Sequence, residues 1–285
     1  MTHFAVIGAA GQLGSELMRV LGDAAIPLGH ADIELTDPAR ISTALDGGSL
    51  GCVINCAAYN LVDRAEAEPE AAFAVNAFGV RNLARWCGTH DVPLLHVSTD
   101  YVFGLDAERS VPYGVDDPTG TVSAYGASKL AGENFVRSHC ARHWVVRTCG
   151  LYGRNAARGK GNFVETMLRL GRERPELRIV ADQVCTPTSA ADLANALAAL
   201  VKTEDYGVYH ATNACGCSWF DFASEIFQCA SLTPVLKPIT AAAYGAAARR
   251  PAYSVLDYTR LTDVCGYKMR PWQEALREYI ATGGE

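Results

Sequence analysis

The sequence predicts an α/β fold with a doubly wound parallel sheet. Short apolar runs of strand length recur along the 285-residue chain, separated by stretches with helical periodicity. The first run, Phe4-Ala5-Val6-Ile7, passes directly into Gly8-Ala9-Ala10-Gly11-Gln12-Leu13-Gly14, after which Leu13, Leu17, Val20 and Leu21 recur at helical spacing. A hydrophobic content of 49% is ample for the core that such a fold needs.

Strand, glycine turn and helix form the first unit of a dinucleotide-binding, Rossmann-type sheet. Gly8 permits the tight turn, Gly11 lets the backbone approach a diphosphate, and Gly14 permits close helix–sheet packing. The helix start offers unpaired N–H groups to phosphate. Ala25 to Leu28 reads as the second strand. It ends in Gly29-His30 without the carboxylate that binds a ribose 2′-hydroxyl in NAD-preferring folds, so NADPH is expected, with NADH tolerated. Asp32 and Glu34 follow a little later. Asp37-Pro38 marks a helix start, with Asp37 as N-cap and Pro38 in the first turn.

Cys52 to Asn55 is a third buried strand, and the small residues Ala57 and Ala58, with Tyr59, follow its C-terminal end, where open α/β sheets bind ligands. Glu66 to Cys87 reads as one long helix containing Asn76. Val92 to Val97 and His143 to Arg147 are the fourth and fifth strands. Between them lie a loop-rich stretch, Ser98 to Ser123, and a helix running from Tyr125 to about Ser138. Asn155 to Gly161 is basic and glycine-rich and reads as a mobile loop, its charges either solvated or turned to a substrate diphosphate. Helices follow at Asn162–Arg172, Ala190–Val201, Trp219–Gln228 and Trp272–Ile280. A strand is expected at Gly207–Ala211, and a loop at Ala241–Tyr253. Residues 1–150 therefore read as the cofactor-binding part. Residues 151–285 read mainly as a smaller substrate lobe whose segments return to the main sheet. No clean linker separates them.

The chemistry lies between Ser98-Thr99-Asp100-Tyr101 and Tyr125-Gly126-Ala127-Ser128-Lys129. Tyr and Lys four residues apart share a helix face. An ammonium beside a phenol favours phenolate and is expected to lower the Tyr125 pKa from its usual ~10. Thr99 can hydrogen-bond the same oxygen. The three groups together can polarise a carbonyl and protonate it as hydride arrives at carbon. Taken alone, Tyr-x-x-x-Lys is common by chance and reads more readily as an amphipathic helix with an exposed lysine and a half-buried tyrosine.

Other function classes have less support. A net charge of −6 gives no electrostatic reason for binding nucleic acid or an anionic membrane. No run approaches the length of a membrane span. Met1-Thr2-His3 leads directly into a strand without the basic and apolar regions of a signal peptide. Ten cysteines lack zinc spacing: Cys215-Gly216-Cys217 has no second Cys/His pair. They read as reduced, mostly core thiols of a cytoplasmic protein.

The glycine motif, with Asn55-Cys56-Ala57-Ala58-Tyr59, Val62-Asp63-Arg64-Ala65-Glu66, Ser98-Thr99-Asp100-Tyr101-Val102-Phe103, Asp182-Gln183 with Pro187-Thr188, and Arg250-Pro251 with Ser254 and Leu256-Asp257, resembles the dTDP-4-dehydrorhamnose reductase family. This is a branch of the extended short-chain dehydrogenase/reductases. The resemblance implies hydride transfer from NAD(P)H to the 4-keto group of a nucleotide-linked deoxysugar, converting dTDP-4-dehydro-L-rhamnose to dTDP-L-rhamnose. It implies catalysis by Thr99, Tyr125 and Lys129. It implies cofactor contacts from Gly8, Gly11, Gln12, Leu13, Gly14, Glu34, Leu35, Ala57, Ala58, Tyr59, Asn76, Tyr125 and Lys129. Val62, Thr99, Tyr101 and Tyr125 would meet the sugar and Arg250 the diphosphate. A homodimer is in keeping with the family. Some members bind magnesium near the dimer interface; Glu16 matches one acidic position there but reads more simply as a surface glutamate, and no metal is assigned.

Sugar-nucleotide epimerases and a non-catalytic NADP-binding role, like that of the methionine adenosyltransferase β-subunit, stay open. Dehydratases carry Thr-Asp-Glu where this chain has Thr99-Asp100-Tyr101. Asn60 and Cys185 depart from the family pattern. So does Gly150, which stands where a tryptophan often walls the sugar pocket; Phe103, Tyr152 and Tyr253 are the expected substitutes.

Overall fold

The structure is a computed structural model that describes residues 2–155 and 161–283. The basic stretch after Asn155 lies almost wholly outside the described residues. Six parallel strands form the central sheet: β1 (His3–Ile7), β2 (Ala25–Leu28), β3 (Leu50–Asn55), β4 (Leu94–Thr99), β5 (His143–Thr148) and, far later in the chain, a strand at Gly207–His210. Their order across the sheet is Gly207–His210, β5, β4, β3, β1, β2. The chain reverses its direction of travel between β1 and β3. A crevice opens there at the C-terminal strand ends, the usual ligand site of an open α/β sheet.

Helices cover both faces. On one side α1 (Gln12–Leu21) sets Leu13 and Leu17 against Val6, Ile54 and Trp144. On the other, α2 (Pro38–Leu45) and the helices before β4 pack over Ile7, Val53 and Val145. The Asp37 carboxylate accepts the Ala39 N–H at 2.9 Å, which makes it the N-cap.

The expected Glu66–Cys87 helix is not continuous. Helix α3 (Val62–Ala67) starts earlier and stops at Glu68, where the backbone leaves the helical region ahead of Pro69. Helix α4 (Pro69–Phe73) resumes, a π-helical turn occupies Ala74–Gly79, and α5 (Val80–Thr89) completes the segment. Proline disfavours helical geometry in the residue before it, which accounts for the break. The π-turn carries Asn76, and single π-turns inside helices often mark functional sites.

Helix α6 (Ala124–His139) is the long element between β4 and β5. The Ser123 hydroxyl accepts the Gly126 N–H, and the Glu66 carboxylate accepts the Ala124 N–H at 2.8 Å, so both protein groups cap its start. Inside the fold, Arg147 of β5 meets Glu133 of α6 at 2.8 Å, both essentially unexposed, and Ser98 of β4 donates to the same carboxylate.

After β5 the chain makes β6 (Leu151–Tyr152), α7 (Phe163–Glu173), β7 (Glu176–Val180), β8 (Val184–Cys185), β9 (Thr188–Ser189) and α8 (Ala190–Leu200). The sixth sheet strand is β10 (Gly207–His210). Then come β11 (Cys217–Ser218), α9 (Trp219–Cys229), β12 (Val235–Ile239), α10 (Ala241–Tyr244), α11 (Thr259–Cys265) and α12 (Trp272–Ala281). A second hydrophobic core gathers Tyr152, Met167, Phe222, Phe227 and Trp272 in this half. Two segments return to the first half: β10 extends the sheet beside β5, and α8 buries Leu193 and Leu197 in the cluster that holds Leu17. The pairing of β7 with β12 was not anticipated from the sequence.

Arg147→Met leaves Glu133 buried without its counter-charge. The expected cost is about 3–5 kcal/mol of stability, the usual penalty for breaking a buried pair. Urea unfolding midpoints of wild type and variant measure it.

Candidate active site

The glycine turn is built by backbone contact. Gly8 adopts φ +80°, and a Cβ there would stand 3.1 Å from the Ala57 nitrogen, across the crevice between β1 and β3. At Gly14 a Cβ would meet the Gly8 carbonyl oxygen at 2.1 Å, so α1 can pack on the turn only without a side chain. Gly11 is the N-cap of α1 in extended geometry. Gln12 follows, its side-chain oxygen accepting from Asn162 of the second half at 3.0 Å, and Leu13 is buried beneath. This cradle of free N–H groups at a helix start fits a dinucleotide diphosphate.

At the end of β2 the structure corrects the sequence reading. A turn folds Asp32 back so that its carboxylate accepts the Gly29 N–H at 2.8 Å. An acid therefore does stand at the strand end. Glu34 is turned to Thr36, whose N–H and hydroxyl hold its carboxyl below the usual carboxylate range. Leu35 is buried against Gly79. The Arg40 guanidinium donates to the Ala31 carbonyl at 2.8 Å, which adds a positive charge to this rim.

Asn76 acts on the Ala57-Ala58-Tyr59 stretch. Its side-chain oxygen accepts the Tyr59 N–H at 2.8 Å and its nitrogen donates to the Tyr59 carbonyl and to Ser128. Both ends of the amide are thus taken by protein partners, which tie the β3 exit to α6. The Tyr59 hydroxyl is buried without a protein partner, the condition of a group placed for a ligand.

Thr99 ends β4 and Tyr125 stands in the first turn of α6. The Tyr101 ring meets the Tyr125 ring edge-on, centroids 5.6 Å apart. Burial pushes the Tyr125 phenol up to about 12, the adjacent Asp100 and Cys149 add to the rise, and the Thr99 hydroxyl opposes it. Lys129 does not lower it, contrary to the expectation from spacing. Its ammonium is turned inward, donating to the Val97 carbonyl at 2.7 Å, and burial lowers it to about 8. Asp100 is wholly internal, its carboxyl receiving Thr99 on one oxygen and the Cys149 thiol at 3.0 Å on the other, and burial raises it.

The Val62-Asp63-Arg64-Ala65-Glu66 motif gains a physical explanation. Val62 opens α3. Asp63 grips the distant loop, accepting the Ala248 N–H at 3.0 Å and both terminal nitrogens of Arg250 at 2.9 and 3.1 Å. Glu66 caps α6, as described above. Asp63 and Asp100 went unassigned in the sequence because their partners lie 187 and 49 residues away. Arg250 also donates to the Ala248 carbonyl at 3.0 Å and lines a cleft of about 1020 Å³ with Phe163, Arg174, Arg178, Gln183 and Trp219.

Gly150 lies against the Thr186-Pro187 backbone. Its φ is +53°, and a Cβ would point at the Pro187 backbone, 3.1 Å away. Of the expected substitutes, Tyr152 is buried against Phe222 and Tyr279, and Phe103 is stacked on Tyr113. Tyr253 packs with Phe103 and Leu256. All ten cysteines are free. Glu16 is not a surface residue: it is 4% exposed and paired with Arg19 at 2.8 Å. Among the described residues, no group of three or more His, Cys, Asp or Glu side chains is arranged to hold a metal, and no helix is long and apolar enough to cross a membrane.

Lys129 gives a pH signature. Its unfolded value is near ~10.4 and its folded value is lower, so between the two the unfolded chain binds more protons. Stability from this group therefore rises with pH from about 8 toward ~10. The stability difference between wild type and Lys129→Met is expected to move in favour of wild type over that window, as read by urea unfolding at each pH.

Comparison with known proteins agrees with this geometry. The family described as RmlD substrate binding domain matches residues 2–284. A Streptomyces griseus dTDP-4-dehydrorhamnose reductase is 41% identical, over 96% of this chain and 91% of its own. A Streptomyces antibioticus protein, a probable dTDP-4,6-dihydroxy-2-methyloxan-3-one 4-ketoreductase, is 40% identical over 96% and 92%. The solved dTDP-4-dehydrorhamnose reductase of Bacillus anthracis, in complex with NADP, superposes with a TM-score of 0.92 at 36% identity, covering 99% of this chain and 100% of that one. The chain belongs to the RmlD substrate-binding-domain family, within the extended short-chain reductases.

Proposed function

We propose that this chain is a reductase that transfers hydride from NADPH to the 4-keto carbon of a dTDP-linked deoxysugar, converting dTDP-4-dehydro-L-rhamnose to dTDP-L-rhamnose. The observation that carries the reading is the meeting of Thr99, Tyr101 and Tyr125 at the C-terminal end of β4, on the same edge of the parallel sheet as the glycine cradle that follows β1. The cofactor supplies the hydride when bound. The glycine turn, with Gln12 and Leu13 at the start of α1, would hold its diphosphate, and Glu34 and Leu35 would flank its adenine. Ala57, Ala58 and Tyr59, braced by Asn76, would line its path toward Lys129.

The chain's own residues do the rest. The Tyr125 phenol hydrogen-bonds the ketone oxygen, and the Thr99 hydroxyl joins it by turning its proton away from Asp100, which the Cys149 thiol still engages. A phenol held protonated at neutral pH is a proton donor, and it gives its proton to the oxygen as negative charge develops there. Val62 and Tyr101 bound the sugar. Arg250, held by Asp63, lines the cleft with Arg174 and Arg178, and these three would meet a nucleotide diphosphate there. Dehydration is disfavoured because both Asp100 oxygens are engaged inside the protein and the next residue is Tyr101. The complete Thr99, Tyr125 and Lys129 set favours catalysis over a purely binding role.

A screen of 4-keto sugar nucleotides with NADPH and with NADH tests the reading directly. NADPH oxidation dependent on dTDP-4-dehydrorhamnose is expected, and no oxidation with any 4-keto sugar nucleotide would leave a binding role. Tyr125→Phe is expected to reduce kcat at least ~100-fold with nearly unchanged cofactor affinity. Asp32→Asn removes the carboxylate at the end of β2 and is expected to raise the NADPH over NADH preference by about 3–10-fold in kcat/KM, an effect of one like charge near a 2′-phosphate.

A further inference from the structure

Three strictly internal side chains meet behind the ketone site: Asn55 at the end of β3, His96 in β4 and Lys129 on α6. None is more than 2% exposed. Ala57 donates its N–H to the Asn55 side-chain oxygen at 3.1 Å. A backbone N–H can only donate, so that oxygen is fixed and the amide NH2 faces His96 Nδ1 at 3.2 Å. Nδ1 must therefore accept. A neutral imidazole carries one N–H, so it lies on Nε2. Burial, with Lys129 nearby, keeps His96 from charging. Nε2 stands 3.4 Å from Lys129 Nζ. An N–H aimed at an ammonium opposes the charge, whereas an amine lone pair can accept it.

We propose that Asn55 and His96 are positioning residues that lock an N–H against Lys129 and so set the pH at which Lys129 gives up its proton. The other ionisable groups that face Lys129 do not do this. Glu133, on α6, favours the ammonium, but its carboxylate is already engaged by Arg147 and Ser98. Cys56, after β3, is pushed up to about 12 and stays a neutral thiol, and Tyr125, one turn earlier on α6, is likewise protonated. The catalytic consequence rests on the reductase reading. Lys129 would then be charged at neutral pH and lose its charge in mildly alkaline solution, and the rate would fall on the alkaline side at the Lys129 midpoint.

The primary test needs no substrate. The chain has five lysines, Lys129, Lys160, Lys202, Lys237 and Lys268, so NMR of 13C-lysine-labelled full-length protein resolves each Cε titration, with Lys129→Met giving the assignment. Lys129 is expected to titrate well below the others. His96→Leu removes the opposing N–H, and Asn55→Asp puts a carboxylate in place of the amide donor, so the imidazole proton moves to Nδ1, donates to that carboxylate and leaves Nε2 as an acceptor. Each should raise the Lys129 midpoint by about one pH unit. If His96→Leu does not fold, Asn55→Asp carries the test. An unchanged midpoint in folded variants, or a wild-type Lys129 that titrates with the surface lysines, overturns the proposal. In the kinetic arm, the alkaline limb of kcat should move with the NMR midpoint in the same variants. Absence of turnover with every 4-keto sugar nucleotide would refute the reductase reading while leaving the NMR result standing.

Discussion

The Glu133–Arg147 ion pair is the constraint on which the site depends. It joins α6 to β5, and through Ser98 it reaches β4 one residue before Thr99. Two buried charges tolerate little displacement, because each loses its partner with any separation and neither can turn to water. Helix α6 is therefore fixed in both height and rotation against the sheet. Tyr125 and Lys129 take their positions from that fixation. The upper end of the helix is held independently, by Ser123 and Glu66 at its first backbone N–H groups.

A second set of contacts brings chain-distant loops to the same place. Asp63 ties Arg250 and Ala248 to the start of α3, and Asn76 ties the β3 exit to Ser128. Both are polar side chains that use nearly all of their hydrogen-bonding capacity on protein. The regions they join are loops at the crevice mouth, where a few strong directional bonds replace the apolar packing that orders the sheet. The site is thus ordered by polar contacts standing on a hydrophobic platform.

Much of this was legible in the sequence. The strands of the sheet, the glycine turn, the Asp37 cap and the Tyr125–Lys129 helix followed from local patterns, since each is decided by neighbouring residues. What was not legible depends on long-range geometry. The phenol of Tyr125 rises because it is buried, and spacing gives a shared face but neither that burial nor the direction of the Lys129 ammonium, which the Val97 carbonyl draws inward. Asp32 returns to the strand end through a turn that a linear reading separates from it. Gly150 is defined by its positive φ and by Pro187, which only the folded chain brings opposite. The interrupted helix around Glu68 was marked by Pro69, a local signal that the strong helical periodicity outweighed.

The return of β10 and α8 to the first half has a consequence for synthesis on the ribosome. When residue 150 has emerged, β5 is still a bare sheet edge, and the apolar face of α1 lacks Leu193 and Leu197. Exposed edges and apolar faces of this kind invite pairing with other chains. The nascent first half must therefore wait, incomplete, for about sixty further residues before its own sheet gains its last strand. Growth from N-terminus to C-terminus thus makes completion of the first half contingent on the chain that builds the cleft.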